Sequence, residues 1–248
     1  MNIHDILDKI HKLSEKLPST EKKDIQILLN EDVIRWINGD LSFLEPDNAI
    51  IGYYKKTIKK DNGLFKSGKR KGLIKYKNIY IDDETRPKYK YTKGKLNEQR
   101  KLNEDKWNKG LMKQIRPDLT NSKQSKFGLM GEIILKELYI LLGEYVTDKP
   151  QRKNHHDLDL ETIRYMIEGK TGSYFTTGTA GEKIFGVPYK YADVPRLYNK
   201  ELLIVCIGGA ETHLVNTSEV LERKHMKQIW EDTFDVHYVG LTQLLNEL

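Results

Sequence analysis

One cysteine in 248 residues removes disulfides as a source of stability, because a lone thiol has no partner within the chain. That residue, Cys206, lies inside the apolar run Leu202-Leu203-Ile204-Val205-Cys206-Ile207, which reads as a buried strand carrying a core thiol and not as a nucleophile. No apolar stretch approaches the roughly 20 residues that cross a bilayer, so no membrane partner is expected. The N-terminus lacks the basic-then-apolar order of a signal peptide, since Asp5 and Asp8 interrupt it, and the expected location is cytoplasmic. A phosphate-binding P-loop is missing as well. Gly169-Lys170-Thr171 has the ending of that motif, but Arg164 stands where its first glycine belongs, which argues against a nucleotide triphosphatase.

Negative charge is nearly absent from one segment. Residues 55–77 hold ten Lys/Arg against Asp61 alone, while residues 1–50 hold six Lys/Arg against ten Asp/Glu. The whole chain carries a net charge of +6, with a pI near 9.0. A basic balance of this size suits a nucleic-acid partner. The basic segment is also interleaved with aromatics, at Tyr53, Tyr54, Phe65, Tyr76, Tyr80, Tyr89 and Tyr91. Such a mixture fits a surface that tracks phosphates, and Lys69, Arg70 and Lys71 are its densest point. The plain alternative is a solvated loop.

Hydrophobic residues make up 38% of the chain, enough for a substantial core. Ile3, Ile6, Leu7, Ile10, Leu13 and Leu17 recur at helical spacing, and Pro18 ends that helix. Ser19 or Thr20 can cap a second helix with the stripe Ile25, Leu28, Leu29, Val33, Trp36 and Ile37, closed by Asn38-Gly39. Residues 1–50 are thus expected to be a helical pair serving as scaffold or dimer element. Residues 51–121 are expected to be the basic, tyrosine-rich DNA-contacting region, and 122–248 the core. That core begins with an amphipathic helix over Ser122 to Leu142, ended by Gly143. Tyr145-Val146-Thr147 follows as a short strand, then a strand pair in 154–170, then a glycine- and threonine-rich loop from Gly172 to Tyr191. A short helix near Val194–Tyr198, the strand 202–207, a helix capped at Asn216 or Thr217, a strand over Val236–Val239 and a final helix complete the pattern. The order implies an α/β (α+β) layer fold, a mixed central sheet flanked by helices.

The segment from Asn154 to Lys170 carries the chemistry. It reads as two short strands joined by a tight turn. Residues i and i+2 share a face of a strand, so Glu168 projects with Lys170, and Asp157 with Asp159. Folding such a hairpin brings carboxylates and an ammonium to one place, the combination that phosphodiester hydrolysis uses. A lone Glu-x-Lys means little in a chain that is 31% charged: Glu21-Lys22-Lys23, Glu104-Asp105-Lys106 and Glu222-Arg223-Lys224 match it too. Only Glu168-Gly169-Lys170 ends a strand-like apolar run with carboxylates just upstream. Gly169 would let a DNA backbone approach closely. His155 and His156 can bind metal or phosphate, or be polar loop.

This arrangement resembles the PD-(D/E)XK nuclease superfamily and, within it, the type II restriction endonucleases, over about residues 122–207. The resemblance implies a restriction-endonuclease-like core with an acid on the leading helix, an Asp opening the second strand of a meander, and Glu/Asp-x-Lys ending the third. Carried onto this chain, the acids are Glu132, Asp157 and Glu168 and the lysine is Lys170. Asp159 competes with Asp157 for the metal, and Asp157 is favoured because it opens the strand. His156 stands where the family often has Pro, and Gly169 where an apolar residue is commoner. The implied cofactor is Mg²⁺, with Mn²⁺ as a substitute. After the catalytic strand, Lys183, Tyr189, Lys190 and Tyr191 are placed to reach phosphates or base edges. The expected function is site-specific cleavage of double-stranded DNA by a homodimer, twofold symmetry following from the substrate. Other expectations from the same residues are a mismatch-repair nickase, a junction resolvase, a transposase subunit, or a non-catalytic DNA-binding protein.

Overall fold

The computed structural model describes residues 2–46, 55–64, 69, 71, 74–80, 93–119, 126–175, 180–218 and 221–248. The chain divides into two compact units, residues 1–44 with 101–248, and residues 45–100. Most of the N-terminal helical segment thus belongs to the same unit as the C-terminal half.

In the larger unit, α1 (Ile3–Lys16) is capped by the side chain of Asn2 and stops before Pro18 as its pattern requires. The second expected helix is broken in two. One turn, α2 (Ser19–Lys22), is followed by an irregular stretch, and α3 (Glu31–Ile37) starts afresh with Asn30 as its cap. The cause of the break lies far away in sequence. The backbone N–H groups of Gln26, Ile27 and Leu28 donate to the carboxylate of Glu137, at 2.9, 2.8 and 2.7 Å, instead of to carbonyls one turn back. Gly39 takes φ +77° just after α3, as expected of its C-terminal signal.

The smaller unit contains an antiparallel pair, β1 (Lys55–Leu64) and β2 (Ile74–Tyr80), and the first turns of α4 (Lys93–Ile115), whose remainder belongs to the larger unit. The helix expected over 122–142 is α5 (Lys126–Leu141), and residues 120–125 lie outside the described ones.

The sheet of the larger unit has five strands in chain order: β3 (Thr147–Asp148), β4 (Leu160–Glu161), β5 (Tyr165–Gly172), β6 (Glu201–Gly208) and β7 (Val236–Gly240). The first three pair antiparallel and the last three parallel, so the sheet is mixed. Parallel neighbours need crossovers. The first is made of α6 (Ala180–Phe185), α7 (Val187–Tyr191) and α8 (Val194–Tyr198), so the expected loop from 172 to 191 holds two short helices. The second is made of α9 (Gly209–Ser218) and α10 (Leu221–Phe234), and it begins directly after β6, seven residues before the cap expected at Asn216. The helix α11 (Leu241–Glu247) ends the chain.

The interior strand β6 is buried on both faces. Leu203, Val205 and Ile207 join the core built with α1, α3 and α5, while Leu202, Ile204 and Cys206 join the core built with α6 to α9. Burial pushes the Cys206 thiol up to about 12, so it stays an inert core group. No helix among the described residues is long and apolar enough to cross a membrane.

Two buried carboxylates fasten the N-terminal segment. Glu137 takes the three N–H groups named above. Glu104, fully buried on α4, accepts from Trp36 Nε1 at 2.8 Å, from the Tyr174 N–H at 3.1 Å and from the Ser173 hydroxyl. Replacing Glu137 by Ala would leave three donors unpaired in the core. At about 1–3 kcal/mol for each buried orphan, the loss is at least about 3 kcal/mol, or a Tm drop of at least roughly 6 °C for a chain of this size. Thermal unfolding of Glu137→Ala checks this, and a drop below about 2 °C would show that Glu137 is not an anchor.

Candidate active site

β4 is only two residues long, and this decides which aspartate faces the Glu-x-Lys. Asp157 lies outside the strand, so the shared face expected for Asp157 and Asp159 does not form. Lys149, Asn154 and His155 take left-handed backbone conformations before it, with φ values of 50, 50 and 64°. The side chain of Asp157 ends up exposed, in a forked pair with Arg152 (Nε to Oδ1 3.0 Å). An exposed ion pair of this kind contributes little.

Asp159 grips β5 on both sides of Glu168. Its N–H donates to the Ile167 carbonyl at 3.1 Å, and its Oδ2 accepts the Gly169 N–H at 2.7 Å. The carboxylate thus takes the ladder position that a longer β4 would have supplied. It is pushed up to about 7, first by burial, then by the negative charge of Glu168 and Glu132, against the Gly169 N–H and Lys170. Those charges sense one another, and Asp159 is their meeting point.

Glu168 is buried on the opposite face of β5 from Gly169. Its Oε1 carries an ion pair with Lys170 and a hydrogen bond from the Tyr191 hydroxyl at 3.3 Å. Its Oε2 is buried with no hydrogen-bond partner among the described residues. Tyr191 is itself buried, so the DNA contact expected for it is replaced by this internal one. Burial and the neighbouring Glu168 and Asp159 push its phenol well above the usual tyrosine range, which keeps it a donor.

Gly169 serves close packing inside the protein. A Cβ there would stand 2.7 Å from Leu135 Cδ1 of α5 and 3.3 Å from Asp159 Oδ2. One turn earlier on α5, a Cβ at Gly131 would stand 1.7 Å from the Thr171 hydroxyl oxygen. These two glycines let α5 lie close on β5 and put Glu132, the next residue, beside the sheet.

A cleft of about 560 Å³ opens on the α5 side, and Glu132, Lys136, Asp148, Lys149 and Asp159 are among its lining residues. Glu168 and Lys170 do not line it, so Glu132, Asp159, Glu168 and Lys170 are electrostatically linked without sharing one cavity. No three His, Cys, Asp or Glu side chains among the described residues form a ready-made metal ligand group.

His156, expected as a possible ligand, is fastened elsewhere. Its Nε2 lies 2.6 Å from Asp193 Oδ1, and its ring meets Tyr191 edge to face at 5.3 Å. Asn154 Nδ2 donates to the other oxygen of Asp193 at 2.7 Å. Together they tie the loop before Asp159 to the turn between α7 and α8. The sequence signal for this latch is weak, since nothing local pairs Asp193 with a residue 37 positions earlier.

Of the remaining expected DNA contacts, Lys183, Tyr189 and Lys190 are exposed on α6 and α7. Tyr189 leans edge-on against Trp230 at 5.0 Å. Lys69 and Lys71 are exposed in the smaller unit, and Arg70 lies outside the described residues. No protein-family model, curated protein or solved structure matches this chain.

The raised carboxyl of Asp159 fixes the sign of one pH effect. An Asp whose folded pKa lies near 7, against an ordinary 3.8, stabilises the fold below about pH 4 and loses that contribution as pH rises through 7. Asp159→Asn keeps an acceptor for the Gly169 N–H and cannot ionise. In chelator-treated protein its Tm advantage over wild type should therefore widen from pH 5 to pH 8, by roughly 2 °C or more. Glu137, also pushed up to about 7 and chiefly by burial, is present in both proteins and cancels in the difference. A gap that stays constant over that range would show that Asp159 is ionised throughout.

Proposed function

We propose that this chain is a divalent-metal-dependent endonuclease with a restriction-endonuclease-like core, cutting double-stranded DNA site-specifically as a homodimer in the manner of a type II restriction enzyme. One observation carries the reading. Asp159 bridges the backbone of β5 around Glu168, with Lys170 paired to Glu168 and the charge of Glu132 close by.

The residues present fit a cation. Glu168 Oε2 is buried and unpartnered, and Asp159 is pushed up by burial and like charge, two penalties that a positive ion relieves. Asp159, which lies at the edge of β5 where the pairing with β4 ends, and Glu168 would hold it from the two sides of that edge, in place of the Asp157 expected from the motif alone. Two carboxylates are an ordinary protein share for Mg²⁺, which keeps water and substrate phosphate as its other ligands. When bound, Mg²⁺ or Mn²⁺ supplies a water of lowered pKa and a Lewis acid for the phosphate oxygens.

The other steps belong to the chain. Lys170 keeps its ammonium within the carboxylate group, where it offsets negative charge building on phosphorus. Glu132, delivered by the close packing of α5, adds negative charge on the cleft side and favours a cation over an unaccompanied phosphate. Lys183 and Lys190, with Lys69 and Lys71 of the smaller unit, supply exposed positive charge for the DNA backbone. The basic balance of +6 and the lack of a P-loop support a nucleic-acid substrate over a nucleotide.

Digestion of a plasmid with Mg²⁺ tests the reading directly, and discrete ends are the expected result. Asp159→Asn and Lys170→Ala should lower cleavage at least about 100-fold while still binding DNA, since they remove chemistry and leave the basic surface. Asp157→Asn should keep cleavage within about threefold, because its carboxylate is spent on Arg152 at the surface. Full activity of Asp159→Asn with loss in Asp157→Asn would overturn the assignment of the ligands.

The basic surface has its own test. Replacing Lys69, Arg70 and Lys71 by Ala should weaken binding to all duplexes alike. The plot of log affinity against log salt should flatten by about 0.9 for each phosphate that is no longer neutralised. An unchanged slope would place the DNA backbone elsewhere.

A further inference from the structure

Tyr191 stands where the first crossover turns back toward the sheet, and its hydroxyl faces the Glu-x-Lys strand. The ring is buried to 1% exposure among Met166, Ile184, Val187, Val194 and Ile204. Three polar atoms surround the hydroxyl oxygen: Lys190 Nζ at 2.6 Å, the Asp157 carbonyl at 3.2 Å and Glu168 Oε1 at 3.3 Å. A lysine ammonium can only donate. The phenol oxygen therefore accepts from Lys190 and directs its single proton between the Glu168 carboxylate and the Asp157 carbonyl.

The consequence falls on Glu168. With the ammonium of Lys170 and the hydroxyl of Tyr191 both on Oε1, the carboxylate is held in one rotation, and Oε2 is the oxygen left without a partner. A buried, oriented, unpaired carboxylate oxygen is costly in a resting protein and useful only if a positive partner arrives. We propose that Tyr191 is the positioning residue of this site, holding Glu168 so that Oε2 is presented to the cation. The same hydroxyl faces the carbonyl of Asp157, so its one proton, shared between the two acceptors, links the loop carrying Asp157 to that strand. This rests on the reading of Asp159 and Glu168 as the ligands. The adjacent Tyr189, 71% exposed on the same short helix with its ring against Trp230, is the natural control.

The experiment titrates Mn²⁺ into intact protein and follows Tm, first for wild type and then for Tyr191→Phe, Tyr191→Leu and Tyr189→Phe. Phe keeps the packed ring and removes only the hydroxyl. Outer partners of metal ligands typically contribute 10- to 100-fold in affinity. Tyr191→Phe should therefore raise the Mn²⁺ concentration at half-maximal stabilisation about 10-fold. Its kcat for plasmid cleavage should fall by a similar factor, with KM for DNA within twofold. Tyr191→Leu should repeat the metal shift and also lower the Tm of the metal-free protein. Tyr189→Phe should match wild type in the metal titration. A Tyr191→Phe midpoint within twofold of wild type, whatever its metal-free Tm, overturns the positioning role and leaves the ligands standing. Absence of any Mn²⁺-induced shift in wild type overturns the metal reading, and the positioning role with it.

Discussion

The approach of α5 to β5, nearer than two ordinary side chains allow, is the constraint on which the candidate site depends. Gly131 and Gly169 face Thr171 and Leu135 across that contact, and neither position has room for a methyl group. Interiors are packed to crystal-like density, so a methyl group at either position would require Thr171 or the end of Leu135 to shift, or α5 to move. Moving α5 would carry Glu132 away from the sheet. It would also disturb Asp159, whose carboxylate lies against the same glycine.

The two faces of β5 then divide the work. On the α5 face, Asp159 completes a hydrogen-bond ladder that β4 is too short to continue, and a cleft opens beside it. On the crossover face, Glu168 and Lys170 are enclosed by α7 and its tyrosine. Neither face holds a complete constellation alone. The carboxylates influence one another across a single strand, where low polarity makes modest separations count. This arrangement also accounts for a burial pattern unusual for a strand, with a charged pair near its middle and apolar residues before it.

Much of the fold is legible in local pattern, and the exceptions share a cause. The first helix, the doubly buried strand β6, the stop at Gly143 and the final strand and helix follow from periodicity and from glycine and proline punctuation. Residues 26–28 carry helical spacing but lie outside a helix because their N–H groups belong to Glu137, a partner 109–111 residues away. Asp157 and Asp159 look equivalent because a two-residue spacing shares a face only in extended chain, and the chain at Asp157 is not extended into β4. Tyr191 reads in sequence as a surface aromatic beside a lysine. Its burial depends on how the crossover returns to the sheet, which no window of neighbouring residues encodes. Glu168 and Lys170 are legible because both lie within one regular strand.

The buried anchors of the N-terminal segment have a consequence for how the chain comes into being. Ile6, Ile10, Val33, Ile34 and Trp36 leave the ribosome early, yet the carboxylate that organises Gln26 to Leu28 follows more than 100 residues later. At synthesis rates of about 5–20 residues per second, that interval is on the order of 5–20 s. During it α1 and α3 can meet each other, but the surface that α1 turns toward α5 lacks its partner. The segment therefore cannot reach its final packing until α5 has been made. The order in which the residues are joined thus sets the earliest moment at which this segment can be completed, however fast its helices form.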